Sequence, residues 1–173
     1  MEAYDFVSLL LRFALGGVML AHGVKHARGK EKTSRWFGSI GFKSATMQWF
    51  ASTATEIGVG VLLISGFLTT AAAAGVIGVM TVAFFSVHRS VGFWITARPD
   101  EGWEYVMVLT AVAAALAIAG PGQASIDDLI SVGETTLALT LDGWVGAAGV
   151  AAGFAAGLLQ MAVFFRPGDV TPE

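Results

Sequence analysis

Leu9-Leu10-Leu11-Arg12-Phe13-Ala14-Leu15-Gly16-Gly17-Val18-Met19-Leu20-Ala21-His22-Gly23-Val24-Lys25-His26 decides the class of this chain. From about Asp5 to Lys25 it reads as one membrane-spanning helix, because about 20 mostly apolar residues rising 1.5 Å each cross a hydrocarbon core of about 30 Å. A soluble core helix of that length would carry a polar face, whereas this one offers only Ser8, Arg12 and His22 among glycines and aliphatics. Arg12 is the conspicuous residue. A guanidinium at that depth is costly unless it faces the protein interior and meets a carboxylate or a carbonyl, so the stretch predicts a polar partner elsewhere in the bundle.

The rest of the composition agrees. Of 173 residues, 55% are hydrophobic and 13% charged, and the mean hydropathy is +0.69; soluble domains carry about 25% charged residues. This is the profile of a multi-pass protein of the cell membrane. The chain has no cysteine, so it cannot by itself build an iron–sulfur cluster, a disulfide or a thiolate zinc site. Glu2 and Asp5 stand where a cleavable signal peptide would have a basic segment, which argues against one.

Four further spans are expected, at about Thr46 to Ser65, Thr69 to Val87, Trp103 to Gly120 and Trp144 to Phe165. Ala27 to Ser44 carries Arg28, Lys30, Lys32, Arg35 and Lys43 against one acid, Glu31, and its aromatic part around Trp36 and Phe37 suits the headgroup level. Of the ten Lys and Arg residues, nine lie at or beyond the same ends of these spans and the tenth is Arg12. The positive-inside rule then gives an outside N-terminus and a cytoplasmic C-terminus. On the other side Asp127, Asp128, Glu134 and Asp142 form an acidic segment without a single cation. The expected architecture is all-α: a four-helix transmembrane bundle over residues 1–128, then an acidic outer segment, a fifth C-terminal transmembrane helix and a short cytoplasmic tail over 129–173. In that fifth helix Gly149, Gly153 and Gly157 make a small-residue face, suited to packing within the chain or against another subunit or a second copy.

The candidate site residues follow from depth. Counted along the helices, Arg12 and Glu56 differ by about 6 Å, which makes them the first candidate pair, with Asp127 folding back toward Arg12 from outside. A carboxyl such as Glu56 in a low-dielectric interior takes a cation or keeps its proton, so it serves as a register-fixing pair, a ligand contact or a proton relay. At the inner side His22, Lys25, His26, His88, Glu101 and Glu104 are expected to converge, making a polar pocket for a quinone headgroup or a small anion. The i, i+4 spacing of His22 and His26 also suits a metal or haem b, a weak signal for which no ligand set is assigned. Phosphate-binding loops, dinucleotide fingerprints and nucleophile elbows are missing, so nucleotide chemistry would need a partner subunit. The basic loop fits membrane topology and anionic lipid better than nucleic acid.

Arg12 with Leu15-Gly16, His22-Gly23-Val24-Lys25, Glu56 with the run to Leu62-Leu63-Ile64-Ser65-Gly66, His88, Glu104-Tyr105, and Gly120-Pro121-Gly122 before Ser125-Ile126-Asp127 together resemble the DoxX family over residues 6–128. The resemblance implies a four-helix membrane protein. Relatives in that family include the membrane subunit of thiosulfate:quinone oxidoreductase and a protein associated with a membrane oxidoreductase complex in thiol and oxidative-stress homeostasis. It further implies a membrane subunit of a quinone-linked oxidoreductase system, with Glu56, Arg12 and Glu104 in catalytic positions and His22, Lys25, His88 and Asp127 binding the ligand. Two alternatives stay open: a non-catalytic anchor of a larger membrane complex, and a carrier of small solutes or protons. The extension from Leu129 onward departs from the family pattern.

Overall fold

The computed structural model describes residues 2–97, 101–131 and 143–167. They form α1 (Ala3–Arg28), α2 (Lys30–Ser39), α3 (Ala45–Ser65), α4 (Thr69–Ser86), a single 3-10 turn at His88–Ser90, α5 (Glu104–Ala119), α6 (Ile126–Ser131) and α7 (Gly143–Phe164). Among the described residues the only β pairing is one isolated bridge, Phe42 with Phe165. Four helices, α1, α3, α4 and α7, are long and apolar enough to cross a membrane. The chain is an all-helical, multi-pass membrane protein. α5, the expected fourth span, is an apolar helix of 16 residues, about 24 Å long, and is shorter than these four. Arg98, Glu134 and Asp142, and with the last two most of the acidic outer segment, lie outside the described residues.

α4 is the central helix, and α3, α5 and α7 all pack on it. Its inward positions are small or branched, with Ala72, Ala73, Val76 and Ile77 at most 1% exposed. Small residues let neighbouring backbones come close, which is the main packing gain open to helices in lipid. α7 uses its glycines for this purpose. A Cβ on Gly153 would stand 2.5 Å from the Ala74 carbonyl oxygen, and one on Gly157 would stand 2.6 Å from Cβ of Thr81. One on Gly149 would meet Cγ2 of Thr70 at 2.9 Å. The stripe that the sequence left open to another subunit is therefore filled by α4 of the same chain. The opposite face of α7, with Phe154, Leu158, Leu159 and Val163, is exposed and suits lipid.

α1 and α3 run antiparallel along a second glycine seam. Gly16 and Gly60 meet backbone to backbone, and Gly23 lies against Glu56 and Ile57. This seam fixes the relative heights of the polar residues described below. Between these helices lies α2, a segment expected to lie at the headgroup level and found as a short helix. Phe37 is buried on its inner side while Lys30, Glu31, Lys32 and Arg35 are exposed. The C-terminal end of α7 is tied to the same region, because Lys43 N–H donates to Phe164 O at 2.9 Å and Arg166 N–H donates to Gly41 O at 2.8 Å. Deeper in the bundle Gln160 Nε2 donates to Oε1 of the buried Gln48 at 2.7 Å, joining α7 to α3.

Substituting Gly153→Leu is predicted to lever α7 off α4 and destabilise the fold by about 1–3 kcal/mol, the usual cost of overpacking. Unfolding by a denaturing detergent checks this: the midpoint should drop, and an unchanged midpoint with an altered oligomeric state would contradict the intrachain packing.

Candidate functional site

Polar residues gather at two separate levels of the bundle. At the outer level, the first turns of α1 overhang the end of α3 and hold the loop that follows α5. Ser8 Oγ, a single donor, lies 2.8 Å from Pro121 O and 3.1 Å from Gly120 O, and the Tyr4 hydroxyl lies 2.9 Å from Gly120 O. The Asp5 carboxylate accepts from the backbone N–H of Gln123 at 2.9 Å and of Glu2 at 2.7 Å. Below them Arg12 is 0% exposed. Its guanidinium donates to the carbonyl oxygens of Leu63 at 3.3 Å and Ala124 at 2.5 Å, and it interacts electrostatically with Asp127.

Asp127, also 0% exposed, closes this knot. It accepts from Leu68 N–H at 2.8 Å and Thr69 N–H at 2.9 Å, so it caps the N-terminus of α4 from across the bundle. Leu68 there has φ of 50°, a left-handed conformation that a leucine adopts only when its surroundings hold it. Gly66 is the second tight point. It takes the left-handed cap of α3 at φ 66°, with Phe67 N–H returning to Leu62 O at 3.0 Å, and Arg12 occupies the space a Cβ would need.

The expected pairing of Arg12 with Glu56 is not made. Gly23, not Arg12, lies beside Glu56, and 11 residues of helix separate Arg12 from Gly23, about 16 Å. The depth count treated the outer ends of α1 and α3 as level. In fact Arg12 is level with Leu63 and Gly66, so about two and a half turns of α1 stand beyond the end of α3.

The second level is a cavity of about 610 Å³ at the basic end of the bundle, walled by α1 to α4, α7 and one side of α5. Most of its lining is apolar or small. Its polar lining includes His22, Lys25, Ser86 and Gln160 together with two groups bonded among themselves. On one wall, Glu56 is 4% exposed and takes a hydrogen bond from Ser52 Oγ onto Oε1 at 3.0 Å. His26 Nδ1 lies 3.1 Å from Oε2, an ion-pair distance at an angle that leaves Oε2 without a hydrogen-bond donor. The backbone of His26 is itself fixed, since Trp49 Nε1 donates to its carbonyl oxygen at 2.8 Å. The other polar group is His88 with Tyr105: Nδ1 of His88 lies 2.6 Å from Glu101 O, and the Tyr105 hydroxyl lies 2.9 Å from Nε2.

Of the residues singled out from sequence, Glu56, His22, Lys25, His26 and His88 line this one cavity. Arg12, Asp127 and Glu104 do not, so Glu56 belongs with the inner group and not with the outer one it was assigned to, and Glu104 drops out of the inner group. Glu104 is drawn away because its Oε2 accepts from Ile95 N–H at 3.1 Å, and it closes the loop that precedes α5. Glu101 reaches the site through its carbonyl oxygen. Two contributors were missed in the sequence assignment. Ser52 lies one helical turn before Glu56, a spacing that brings their side chains together. Tyr105 read as an interfacial aromatic, yet its ring packs edge-on against His88 at 5.1 Å between centroids. Among the described residues no group of three or more His, Cys, Asp or Glu is arranged to hold a metal ion.

A helical membrane bundle with a polar-tipped apolar cavity defines the class of the protein, and comparison with known proteins finds what it is similar to. The DoxX family model matches residues 7–89, from α1 to the turn after α4. A protein of Bacillus subtilis (strain 168) named "Putative oxidoreductase CatD" is 29% identical over 135 residues, covering 77% of this chain and 93% of that protein. A Haemophilus influenzae protein with no function in its name is 26% identical over 130 residues, 70% of this chain and 82% of its own length. No solved structure matches.

Replacing Arg12 by Leu is predicted to destabilise the fold by about 3 kcal/mol, because buried acceptors lose their donor and Asp127 loses a compensating charge. Denaturing-detergent titration measures this. The folded fraction should keep whatever ligand affinity the cavity has; stability equal to wild type together with lost binding would put Arg12 in the binding site instead.

Proposed function

We propose that the chain is the membrane subunit of a quinone-linked oxidoreductase system and that the cavity at its basic end receives the quinone ring. The observation that carries this reading is Oε2 of Glu56, which accepts no hydrogen bond although His26 Nδ1 stands 3.1 Å away, buried in the wall of a cavity otherwise lined mainly by apolar side chains. A buried carboxylate oxygen without a donor costs free energy, and a ligand group that meets it recovers that cost. The volume suits a ring carrying part of a prenyl tail, the apolar walls suit the ring faces, and the Glu56 oxygen suits a ring hydroxyl of the reduced form of the couple. The name of the Bacillus subtilis relative supports an oxidoreductase-associated role.

In this proposal the basic end, with Lys25, Arg28, Lys30, Lys32 and Arg35 around α2, faces the cytoplasm. The N-terminus is outside, α5 crosses most of the bilayer, and the extension after residue 128 completes the cavity wall through Gly153, Gly157 and Gln160. Thiosulfate or a thiol as the electron source is compatible with the family resemblance, and that chemistry would belong to a partner subunit because this chain has no thiol of its own. The rival reading, an anchor acting through the glycine face of α7, loses its main support because α4 covers that face.

Native mass spectrometry of the protein released gently from its own membrane tests the proposal. A retained quinone mass is expected, reduced at least about fivefold by Glu56→Gln. Retention that is equal in the variant, or an empty wild-type protein that stays empty when quinone is supplied, would contradict the quinone site.

A further inference from the structure

The two polar groups of the cavity share a hydrogen-bonding sense that bears on which redox form of the ligand they prefer. A carbonyl oxygen only accepts, so the contact between His88 Nδ1 and Glu101 O requires the ring proton on Nδ1. In the neutral ring Nε2 is then an acceptor, and the Tyr105 hydroxyl must spend its proton on it. What Tyr105 has left for the cavity is the lone pairs of its phenol oxygen. Glu56 is in the same position. Its Oε1 is occupied by Ser52, and its Oε2, which His26 Nδ1 faces at 3.1 Å without a hydrogen bond, is a carboxylate oxygen and only accepts. Glu56 and Tyr105 line the same cavity, so one ligand can meet both.

We propose that the cavity is selective for a ligand carrying hydroxyl donors, an aromatic diol of the hydroquinone class, over the corresponding quinone, with Glu56 and Tyr105 as the specificity-determining acceptors. This rests on the quinone-site reading above and sharpens it. A quinol brings two O–H donors that fit two waiting acceptors. A quinone brings only carbonyl oxygens, which face those same acceptors without a proton between them and leave both unsatisfied. His88 and Glu101 act through Tyr105 as positioning groups, because they fix the direction in which its hydroxyl points.

Binding of duroquinol and duroquinone to the purified protein in nanodiscs, followed by equilibrium dialysis with the quinol kept reduced under argon, tests this. The fully methylated ring leaves no position open to attack by Lys25 or the other lysines. Wild type is expected to hold the quinol at least about tenfold more tightly than the quinone. Tyr105→Phe should lower quinol affinity about fivefold or more and leave quinone affinity within about twofold. Glu56→Gln, whose amide also donates, should bring the two affinities within about threefold of each other. Equal binding of both forms by wild type, or tighter binding of the quinone, would overturn the selectivity while leaving the quinone site standing. Binding of neither form would overturn both.

Discussion

Burying a guanidinium completely in an apolar bundle is the constraint on which this structure depends. Arg12 cannot leave the interior, since lipid lies outside the helices and there is no water to solvate its charge there. Acceptors have to come to it. The carbonyl oxygen of Leu63 lies in the last turn of α3, where it takes Arg12 beside the Gly66 N–H, and that of Ala124 is offered because the loop after α5 folds in over the bundle. The same fold carries Asp127 inward, where it caps α4 and faces Arg12. One buried cation thus ties together α1, the α3–α4 hairpin and the chain leading into α6.

With the outer end locked, the basic end is free to be hollow. The seam of Gly16, Gly23 and Gly60 holds α1 against α3, while the glycines of α7 hold it against α4. Between these two close-packed pairs the helices leave a cavity, and α2 covers part of it with Trp36 and Phe37. Close contact at two seams and open space between them come from one packing rule, small residues where backbones touch and larger ones elsewhere. The buried charge knot and the proposed binding site therefore stand at different levels of the molecule, Arg12 and Asp127 at one and Glu56 with Tyr105 at the other.

The helical class and the membrane setting were legible in the sequence, since both follow from hydrophobic run length and cation placement. So was the need of Arg12 for a partner. Asp127 as a charged partner folding back from outside was legible as well, whereas the two backbone carbonyls were not, because every residue has one. The relative depth of Arg12 and Glu56 was misjudged because helix ends were taken as flush, and an overhang of α1 leaves no mark in hydropathy. Grouping His22, Lys25, His26 and His88 worked because they all stand near the basic ends of their helices. Glu104 failed the same test, since its side chain is claimed by the Ile95 amide in a loop whose path composition does not dictate. The buried amide pair Gln48 and Gln160 joins residues far apart in the chain, and nothing short of the fold brings them together.

The central claim is that the cavity between α1, α3, α4 and α7 is where a quinone-type ring binds. Photolabelling with an azido-substituted benzoquinone, followed by peptide mapping, tests it most directly. The account predicts label concentrated on the segments around His22 to His26, Ser52 to Glu56 and Tyr105, and displaced by excess unlabelled ligand. Label spread over the outward face of α7 at Phe154, Leu158 and Leu159, and not displaced by competitor, would contradict it.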